Sequence, residues 1–268
     1  MKQPAPAAAR VVSLHDDNVI KIQHPEASRR ERLRTMAGRE VGLRTGLFVV
    51  PRILSFDDSR GELVFERLGL TALREALADP HRSMELAGRV AAALAAIHGQ
   101  MLPIEGAIPV RAGGIGTRAE GLSVPLHGDF GMRNIFFLPS SDHLAIIDWS
   151  NADWVGIEGD LAAPEVDLAV FLMSLFHRRA FGPWRVSRLH QVARHFLATY
   201  ASAAPLGLDL GTLGRIVTGS APAFDRQTRR LKGNLRALGY RHNRLELYVF
   251  LRRLAAQRLA GVSVLRTS

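Results

Sequence analysis

The chain has 268 residues, 47% of them apolar and 22% charged, a composition typical of a globular protein with a sizeable core. It contains no cysteine, which excludes a disulfide framework, a thiol nucleophile and a cysteine metal site. No apolar run reaches the roughly 18 residues of a membrane span. The formal net charge of +10 comes almost entirely from arginine and favours anionic over cationic partners.

The N-terminal stretch MKQPAPAAAR has an apolar core too short for a signal peptide. We therefore expect residues 1–10 to be a disordered leader and the protein to be cytoplasmic.

A β-hairpin is predicted at Val11–Leu14 and Val19–Ile22, two short apolar runs that flank polar residues. Lys21 lies in the second strand. Where the chain needs a generic cation it almost always uses arginine, and its only lysines are Lys2, Lys21 and Lys232. Because an ammonium and a guanidinium are not equivalent as ligands, a lysine here favours a functional role over a solvated strand position.

A helix is predicted next, beginning near residue 29, because Ser28–Glu31 has the spacing of a capping box. Leu33, Met36 and Glu40 then lie three and four residues apart and share one face. A carboxylate in line with an apolar stripe needs a buried partner. Glu40 is the first candidate for such an ion pair. Glu31 is the alternative, although a capping role explains it more simply.

A second strand pair is predicted over Leu47–Leu54, interrupted by Pro51, and Glu62–Leu68. The pattern then changes from strands to helices, with Thr71 and Ser83 as the expected caps of the first two helices. Further along, 166–176 predicts a buried helix, 189–200 an amphipathic helix, and 228–238 and 245–259 two arginine-rich helices.

The most distinctive segment is Pro125–Ser150. Ile135–Leu138 and Leu144–Ile147 are apolar runs of strand length with a turn between them, which predicts a second hairpin. Such a hairpin places Asn134, before its first strand, near Asp148, after its second. Two oxygen ligands then face one small volume, and Mg²⁺ is bound by one or two protein oxygens together with substrate phosphates.

Three residues that precede this hairpin, His127, Asp129 and Asn134, form the pattern H-x-D-x-x-x-x-N in HGDFGMRN, and IIDWS follows the hairpin. This arrangement resembles the catalytic segment of the aminoglycoside phosphotransferase and choline kinase-like enzymes. The resemblance extends from about Val11 to Leu175. It implies an α+β, protein-kinase-like fold of two lobes: a small β-rich N-lobe at 11–69 and a larger, mostly helical C-lobe at 70–268.

The resemblance also implies a division of roles around the second hairpin. Asp129 is expected to be the catalytic base, and His127 is expected to brace the loop rather than carry a proton. Asn134 and Asp148 are expected to hold Mg²⁺ against the phosphates of ATP or GTP. Asp167 resembles the structural aspartate that supports the catalytic loop.

On the N-lobe side, the resemblance makes Lys21 the contact to the α- and β-phosphates, with Glu40 as its expected ion-pair partner and Glu31 as the alternative. Glu66 and Leu68 mark the hinge, where backbone groups are expected to meet the nucleotide base.

The implied function is transfer of the γ-phosphoryl of ATP, or GTP, to a hydroxyl of a small molecule. The charge of +10 disfavours a polycationic acceptor, despite loop acids at Asp153, Glu158 and Asp160. A neutral or anionic acceptor such as a sugar or glycoconjugate is expected.

Two other functions stay open. A non-catalytic, nucleotide-binding pseudokinase is one, because MKQPAPAAAR holds no glycine-rich phosphate loop. A basic module that binds nucleic acid or a membrane surface is the other, although no stripe of aromatic and basic residues predicts specific nucleic-acid binding. A serine hydrolase is disfavoured, because Ser123 and Ser150 lack the G-x-S-x-G elbow.

Overall fold

A computed structural model describes residues 10–77, 79, 81–110, 123–139, 141–150, 159–177, 186–220, 222, 229 and 234–265. Predictions for residues 1–9 and for the loop acids Asp153 and Glu158 lie outside the described residues. The strands are β1 Val11–Leu14, β2 Asn18–Ile22, β3 Phe48–Val49, β4 Ile53–Asp57, β5 Glu62–Glu66, β6 Thr71–Ala72, β7 Val124–Pro125, β8 Ile135–Leu138, β9 His143–Ile146 and β10 Leu161–Ala162. The helices are α1 Pro25–Thr45, α2 Leu73–Ala76, α3 Ser83–Gln100, α4 Glu165–His177, α5 Val186–Ala203, α6 Leu210–Gly219 and α7 Asn234–Leu265.

The N-terminal part is an antiparallel sheet of four strands in the order β1-β2-β5-β4, with α1 connecting β2 to β3. The predicted first hairpin is confirmed, since β1 pairs with β2 and Lys21 lies opposite Val12. On its other side Lys21 lies opposite Leu63 of β5, so this lysine stands on a central strand. Its side chain is consequently buried.

The strand predicted over Leu47–Leu54 is in fact two strands in different sheets, which corrects the prediction. β3 runs parallel to β9 in a second sheet of order β3-β9-β8-β6, whereas β4 pairs with β5 in the first. Pro51 lies in the break between them and has no N–H to continue a ladder. The second hairpin, β8 with β9, is confirmed, and β3 brings the N-terminal part against it.

Helix α1 begins earlier than predicted, so the capping box at Ser28–Glu31 was wrong. His24 is the N-cap, with its Nδ1 accepting from the Glu26 N–H at 3.3 Å, and Pro25 stands in the first turn, where a missing N–H costs nothing. Ser28 is buried within the helix. The helix ends where Gly46 adopts a positive φ of 67°.

The buried face of α1 also differs from the predicted one. Met36 is 55% exposed and Glu40 is exposed as well, while Glu31, Arg34 and Gly38 are buried. This face buries charged and small residues, so a search for an apolar stripe selects the wrong side of the helix.

The core lies among α3, α4 and α5, and the helices predicted at 166–176 and 189–200 are confirmed within α4 and α5. Thr71 and Ser83 do not cap helices: Thr71 pairs with Phe137 in the second sheet, and buried Ser83 accepts hydrogen bonds from Arg188. The helix predicted at 245–259 and residues 234–238 of the one predicted at 228–238 belong to a single continuous helix, α7, while 228 and 230–233 lie outside the described residues. Within the described part of the chain, no helix has the length and apolarity to cross a membrane.

Candidate active site

The loop before β8 is held by one buried carboxylate. Asp167, in the first turn of α4, accepts hydrogen bonds from the His127 N–H at 2.8 Å and the Gly128 N–H at 3.0 Å. His98 Nε2 donates to the same carboxylate at 3.2 Å, and Tyr200 bonds the other ring nitrogen of His98 at 2.8 Å. The prediction that Asp167 braces this loop is confirmed. Burial raises the pKa of Asp167, but the hydrogen bond and the charge of His98 lower it by more, so the pKa lies below its usual value.

The imidazole of His127 uses both ring nitrogens within the site. Nδ1 accepts from the Asp129 N–H at 3.2 Å, and Nε2 donates to the Ile147 carbonyl at 3.2 Å. Complete burial lowers the pKa of His127, which keeps the ring neutral. This geometry ties the Asp129 loop to the end of β9, as expected of a bracing residue.

Asp129 itself is buried, and the side chains of Asn134 and Arg133 bond its carboxylate. Its Oδ2 accepts from Asn134 Nδ2 at 2.9 Å and from Arg133, whose side chain is 49% exposed. Asn134 Nδ2 also donates to the Asp129 carbonyl at 2.9 Å. Because the amide nitrogen of Asn134 is committed to Asp129, its oxygen remains for an electropositive partner.

The hairpin places Asn134 next to Asp148, as predicted. The Ile147 N–H donates to the Asn134 carbonyl at 2.9 Å, one residue before Asp148. Asp148 has a positive φ of 58°, an uncommon conformation for a residue other than glycine that aspartate tolerates better than most. A backbone held in this region at the end of a strand is typical of functional sites.

Three donors converge on the Asp148 carboxylate. Its Oδ1 accepts from Lys21 at 2.9 Å and Ser150 at 2.7 Å, and its Oδ2 accepts from Arg10 at 2.6 Å. Burial raises the pKa of Asp148, but the charges of Lys21 and Arg10 outweigh it and hold the pKa well below its usual range. The carboxylate is therefore ionised, and a metal ion that approached Oδ2 would compete with Arg10.

Lys21 pairs with Glu31 rather than with Glu40, so the preferred prediction was wrong and the alternative is confirmed. Lys21 Nζ donates to the Glu31 carboxylate, which also accepts from Gln23 Nε2 at 2.7 Å. Glu31 is 2% exposed, whereas Glu40 lies on the solvent side of α1. The two glutamates are nine positions apart, which is two and a half helical turns, so they lie on opposite sides of α1.

Because Glu31 and not Glu40 pairs with Lys21, a change at Glu31 is expected to affect the site, and the same change at Glu40 serves as the control. Glu31→Gln is expected to weaken binding of Mg–AMP-PNP and to lower stability, because it leaves buried Lys21 without one of its two carboxylates. Glu40→Gln, the same change on the same helix, is expected to stay within about 0.5 kcal/mol of wild type. Calorimetric nucleotide titration and denaturant unfolding measure both.

The coupling between the two residues is a second readout of the same pair. Lys21→Arg and Glu31→Gln in one chain are expected to be non-additive by about 0.5–3 kcal/mol, since either change alone breaks the pair. Additive effects, or an effect of Glu40→Gln as large as that of Glu31→Gln, would contradict the assignment.

The side chains fit a hard cation. Asp148 supplies an ionised carboxylate and Asn134 an amide oxygen, the donor types that Mg²⁺ prefers. Among the described residues no three His, Asp or Glu side chains form a cage. A site with two protein oxygens suits a metal whose remaining ligands come from phosphates and water.

The predicted hinge residues lie where the chain passes between the sheets. Glu66 ends β5, and its carboxylate accepts from the Arg52 N–H at 2.7 Å and Arg52 Nε at 2.9 Å. Leu68 is half-buried in the linker that leads to β6. Contact of either residue with a nucleotide base stays a prediction, as does the lobe boundary at 69–70.

Sequence reasoning missed two residues beside the site and misplaced a third. Arg10 had no sequence signal, because only the folded sheet brings it to Asp148. Arg34 was overlooked although it follows Glu31 by three residues, on the same helical face. Asp160, expected as a loop acid near the site, is instead 3% exposed and paired with Arg34 and Arg30.

Comparison with known proteins finds relatives only at the level of structure. No protein-family model and no curated protein sequence matches the chain. An aminoglycoside phosphotransferase from Streptomyces rimosus aligns with a TM-score of 0.53 at 18% identity, covering 83% of this chain and 92% of that one. Choline kinase from Streptococcus pneumoniae aligns with a TM-score of 0.53 at 13% identity, covering 89% of both chains.

An amicoumacin kinase, solved with AMP-PNP, Ca²⁺ and Ami, aligns with a TM-score of 0.56 at 11% identity over 89% of this chain and 87% of that one. At such identities the likeness establishes the fold. The chain therefore has the two-lobed α+β kinase-like fold that these aminoglycoside, choline and amicoumacin kinases share.

Proposed function

We propose that this chain is a small-molecule phosphotransferase, which moves the γ-phosphoryl of ATP, or GTP, to a hydroxyl group with the help of Mg²⁺. The observation that carries the proposal is the meeting of Lys21, Asp129, Asn134 and Asp148 around one end of the second hairpin. Phosphoryl transfer needs alignment and neutralised charge more than covalent work from the protein, and these side chains supply both.

Each residue then has a distinct task. Asp129 accepts a hydrogen bond from the acceptor hydroxyl and takes its proton as that oxygen attacks. Asn134 and Asp148 hold Mg²⁺, which neutralises phosphate charge when it is bound. Lys21, fixed by Glu31, contacts the α- and β-phosphates, and the backbone near Glu66 and Leu68 meets the base.

Structural relatives support the use of a nucleotide with a divalent ion. One was solved with AMP-PNP and Ca²⁺, and a second structure of the Streptomyces rimosus enzyme contains ADP and streptomycin. We propose ATP and Mg²⁺ for this chain, because its oxygen donors suit a hard cation.

Purified protein tests the proposal directly. We expect phosphate transfer from Mg–ATP or Mg–GTP to at least one hydroxyl compound in a panel of neutral sugars, sugar acids, amino alcohols and aminoglycosides, detected by mass spectrometry. Absence of nucleotide binding in calorimetry, together with absence of transfer across the panel, would refute the proposal.

The acceptor is proposed to be neutral or anionic, for example a sugar or glycoconjugate. Two charges support this: the +10 of the whole chain and the guanidinium of Arg133 on the Asp129 carboxylate. An acceptor hydroxyl that contacts Asp129 comes within reach of Arg133, where a cation is repelled and an anion attracted.

A prediction follows for Arg133→Gln. We expect it to raise the KM of an anionic acceptor on the order of tenfold, since a hydrogen bond to a charged group is lost, and to leave neutral acceptors nearly unaffected. Initial rates with matched neutral and anionic sugars measure the difference. Efficient phosphorylation of an aminoglycoside by the wild-type protein would contradict the assignment of acceptor charge.

A nucleotide-binding pseudokinase is the second candidate. The observation in its favour is that an arginine engages each key carboxylate, Arg133 on Asp129 and Arg10 on Asp148. Nucleotide binding without transfer to any acceptor, and without slow hydrolysis of ATP by water, would support this candidate.

A further inference from the structure

Helix α1 is joined to the chain that follows Asp148 by a buried ion pair. Arg34 is 2% exposed and Asp160 is 3% exposed. Arg34 Nε and Nη2 approach Asp160 Oδ1 at 2.9 and 2.8 Å. This pair connects the helix that carries Glu31 to the segment that enters β10, across the two parts of the fold.

Asp160 is held from other sides as well. Its Oδ2 accepts from Arg30 Nη1 at 2.5 Å and from the Ile108 N–H at 2.8 Å. Its own N–H donates to the Ile108 carbonyl at 2.6 Å. Asp160 is therefore held in place by the Ile108 backbone, and Arg30 and Arg34, one turn apart on α1, both bind its carboxylate.

Arg34 also contacts the backbone on both sides of residues 151–158. Its guanidinium donates to the Trp149 carbonyl at 3.5 Å and to the Gly159 carbonyl. One turn further along α1, a Cβ on Gly38 would lie 2.2 Å from the Trp149 ring, so helix and indole are in direct contact there. The residue before Trp149 is Asp148, the carboxylate that binds Lys21.

Glu31 and Arg34 thus form two links from one helical face to one short stretch of chain. Glu31 reaches Asp148 through Lys21, and Arg34 reaches Trp149 and Asp160 directly. An apolar pair of similar size could stabilise the fold equally well. What the guanidinium adds is geometry, because its rigid, planar donors locate a carboxylate and two carbonyls at once.

We propose that Arg34 and Asp160 are positioning residues, which hold α1 against the Asp148 segment so that Glu31 keeps Lys21 on Asp148. The proposal rests on the proposed function, since it names the device that aligns its nucleotide site. Both residues act through α1 and the segment after Asp148.

The experiment uses Arg34→Met, Asp160→Asn and the double variant, with Arg29→Met as control. Arg29 is an exposed arginine on the same helix. Three quantities are measured in each: the melting temperature, amide hydrogen exchange of residues 25–45 in the nucleotide-free protein, and the Kd for Mg–AMP-PNP.

We expect each single variant to melt earlier, because one buried charge loses a partner, and the double variant to recover part of that loss. In the double variant, exchange in the turn at residues 31–34 is expected to be faster and the Kd for Mg–AMP-PNP on the order of tenfold weaker, the usual cost of removing a supporting contact. Arg29→Met is expected to match wild type in all three quantities.

A double variant with normal exchange in α1 and a normal Kd would overturn the proposal and leave the pair a purely structural contact. Should the double variant not fold, Asp160→Asn tests the proposal by hydrogen exchange in α1 and by the Kd for Mg–AMP-PNP, because this substitution keeps the size of the side chain. A wild-type protein that binds no Mg–AMP-PNP would refute the proposed function instead, and the exchange data would still decide whether the pair positions α1.

Discussion

Asp129→Asn is expected to lower the rate of phosphoryl transfer on the order of 10²-fold or more, while the affinity for Mg-nucleotide changes little. The substitution keeps the size of the side chain and an oxygen that accepts from Asn134, but it removes the charge and the ability to take a proton. Asp129 belongs to the loop before β8, where Asn134 and Arg133 bond its carboxylate, whereas Lys21 bonds Asp148. The loss should therefore fall on the chemical step.

Single-turnover transfer and calorimetric nucleotide titration separate the two effects. Asp142→Asn is the control, because Asp142 is an exposed aspartate at the opposite end of the same hairpin. Loss of nucleotide affinity in Asp129→Asn, with the transfer step intact, would show that Asp129 serves binding and not proton transfer.

The pattern around the second hairpin was predictable because it is local. Asn134 and Asp148 flank two short strands joined by a turn, and pairing of those strands brings the residues together without knowledge of the rest of the fold. The role of Asp167 as a brace came from the family resemblance and not from a local pattern, since its N–H donors His127 and Gly128 lie 40 and 39 positions earlier.

The partner of Lys21 was predicted wrongly for a physical reason. Hydrophobic periodicity locates a buried face only when that face is apolar. In α1 the buried side carries Glu31 and Arg34, which meet charged partners, and Gly38, which makes room for an indole ring. Met36 is exposed, so the apolar stripe that contains it indicated the wrong face of α1 as the buried one. Glu40 lies on that face and was therefore predicted wrongly as the partner of Lys21.

Asp160 and the strand at Phe48–Val49 were misplaced because their partners are distant in sequence. Asp160 pairs with an arginine 126 positions earlier, and Phe48 lies beside Leu144 in a parallel pair. No local pattern encodes either contact. Both help to join α1 and β3 to the segment around Asp148, so the joint between the two parts of the fold was the least predictable region.

Asp148→Asn is expected to impair both the Mg²⁺ dependence and the turnover, in contrast to Asp129→Asn. The carboxylate is the only charged oxygen donor of the proposed metal pair, and an amide binds Mg²⁺ far more weakly. The same change leaves Lys21 and Arg10 facing a neutral side chain. We expect the Mg²⁺ concentration for half-maximal rate to rise at least tenfold and the rate at saturating Mg²⁺ to fall as well.

Titrating Mg²⁺ at fixed nucleotide, and nucleotide at fixed Mg²⁺, distinguishes a metal ligand from a partner of Lys21 alone. If Asp148 only anchors Lys21, Asp148→Asn should weaken nucleotide binding equally with and without Mg²⁺. If it holds the metal, the loss of nucleotide affinity should be larger in the presence of Mg²⁺ than in its absence. Replacing Mg²⁺ by Mn²⁺, which binds nitrogen and oxygen donors more tightly, should restore part of the affinity. A normal metal response and a normal rate in Asp148→Asn would mean that the metal is held elsewhere, and the proposed mechanism would fail with it.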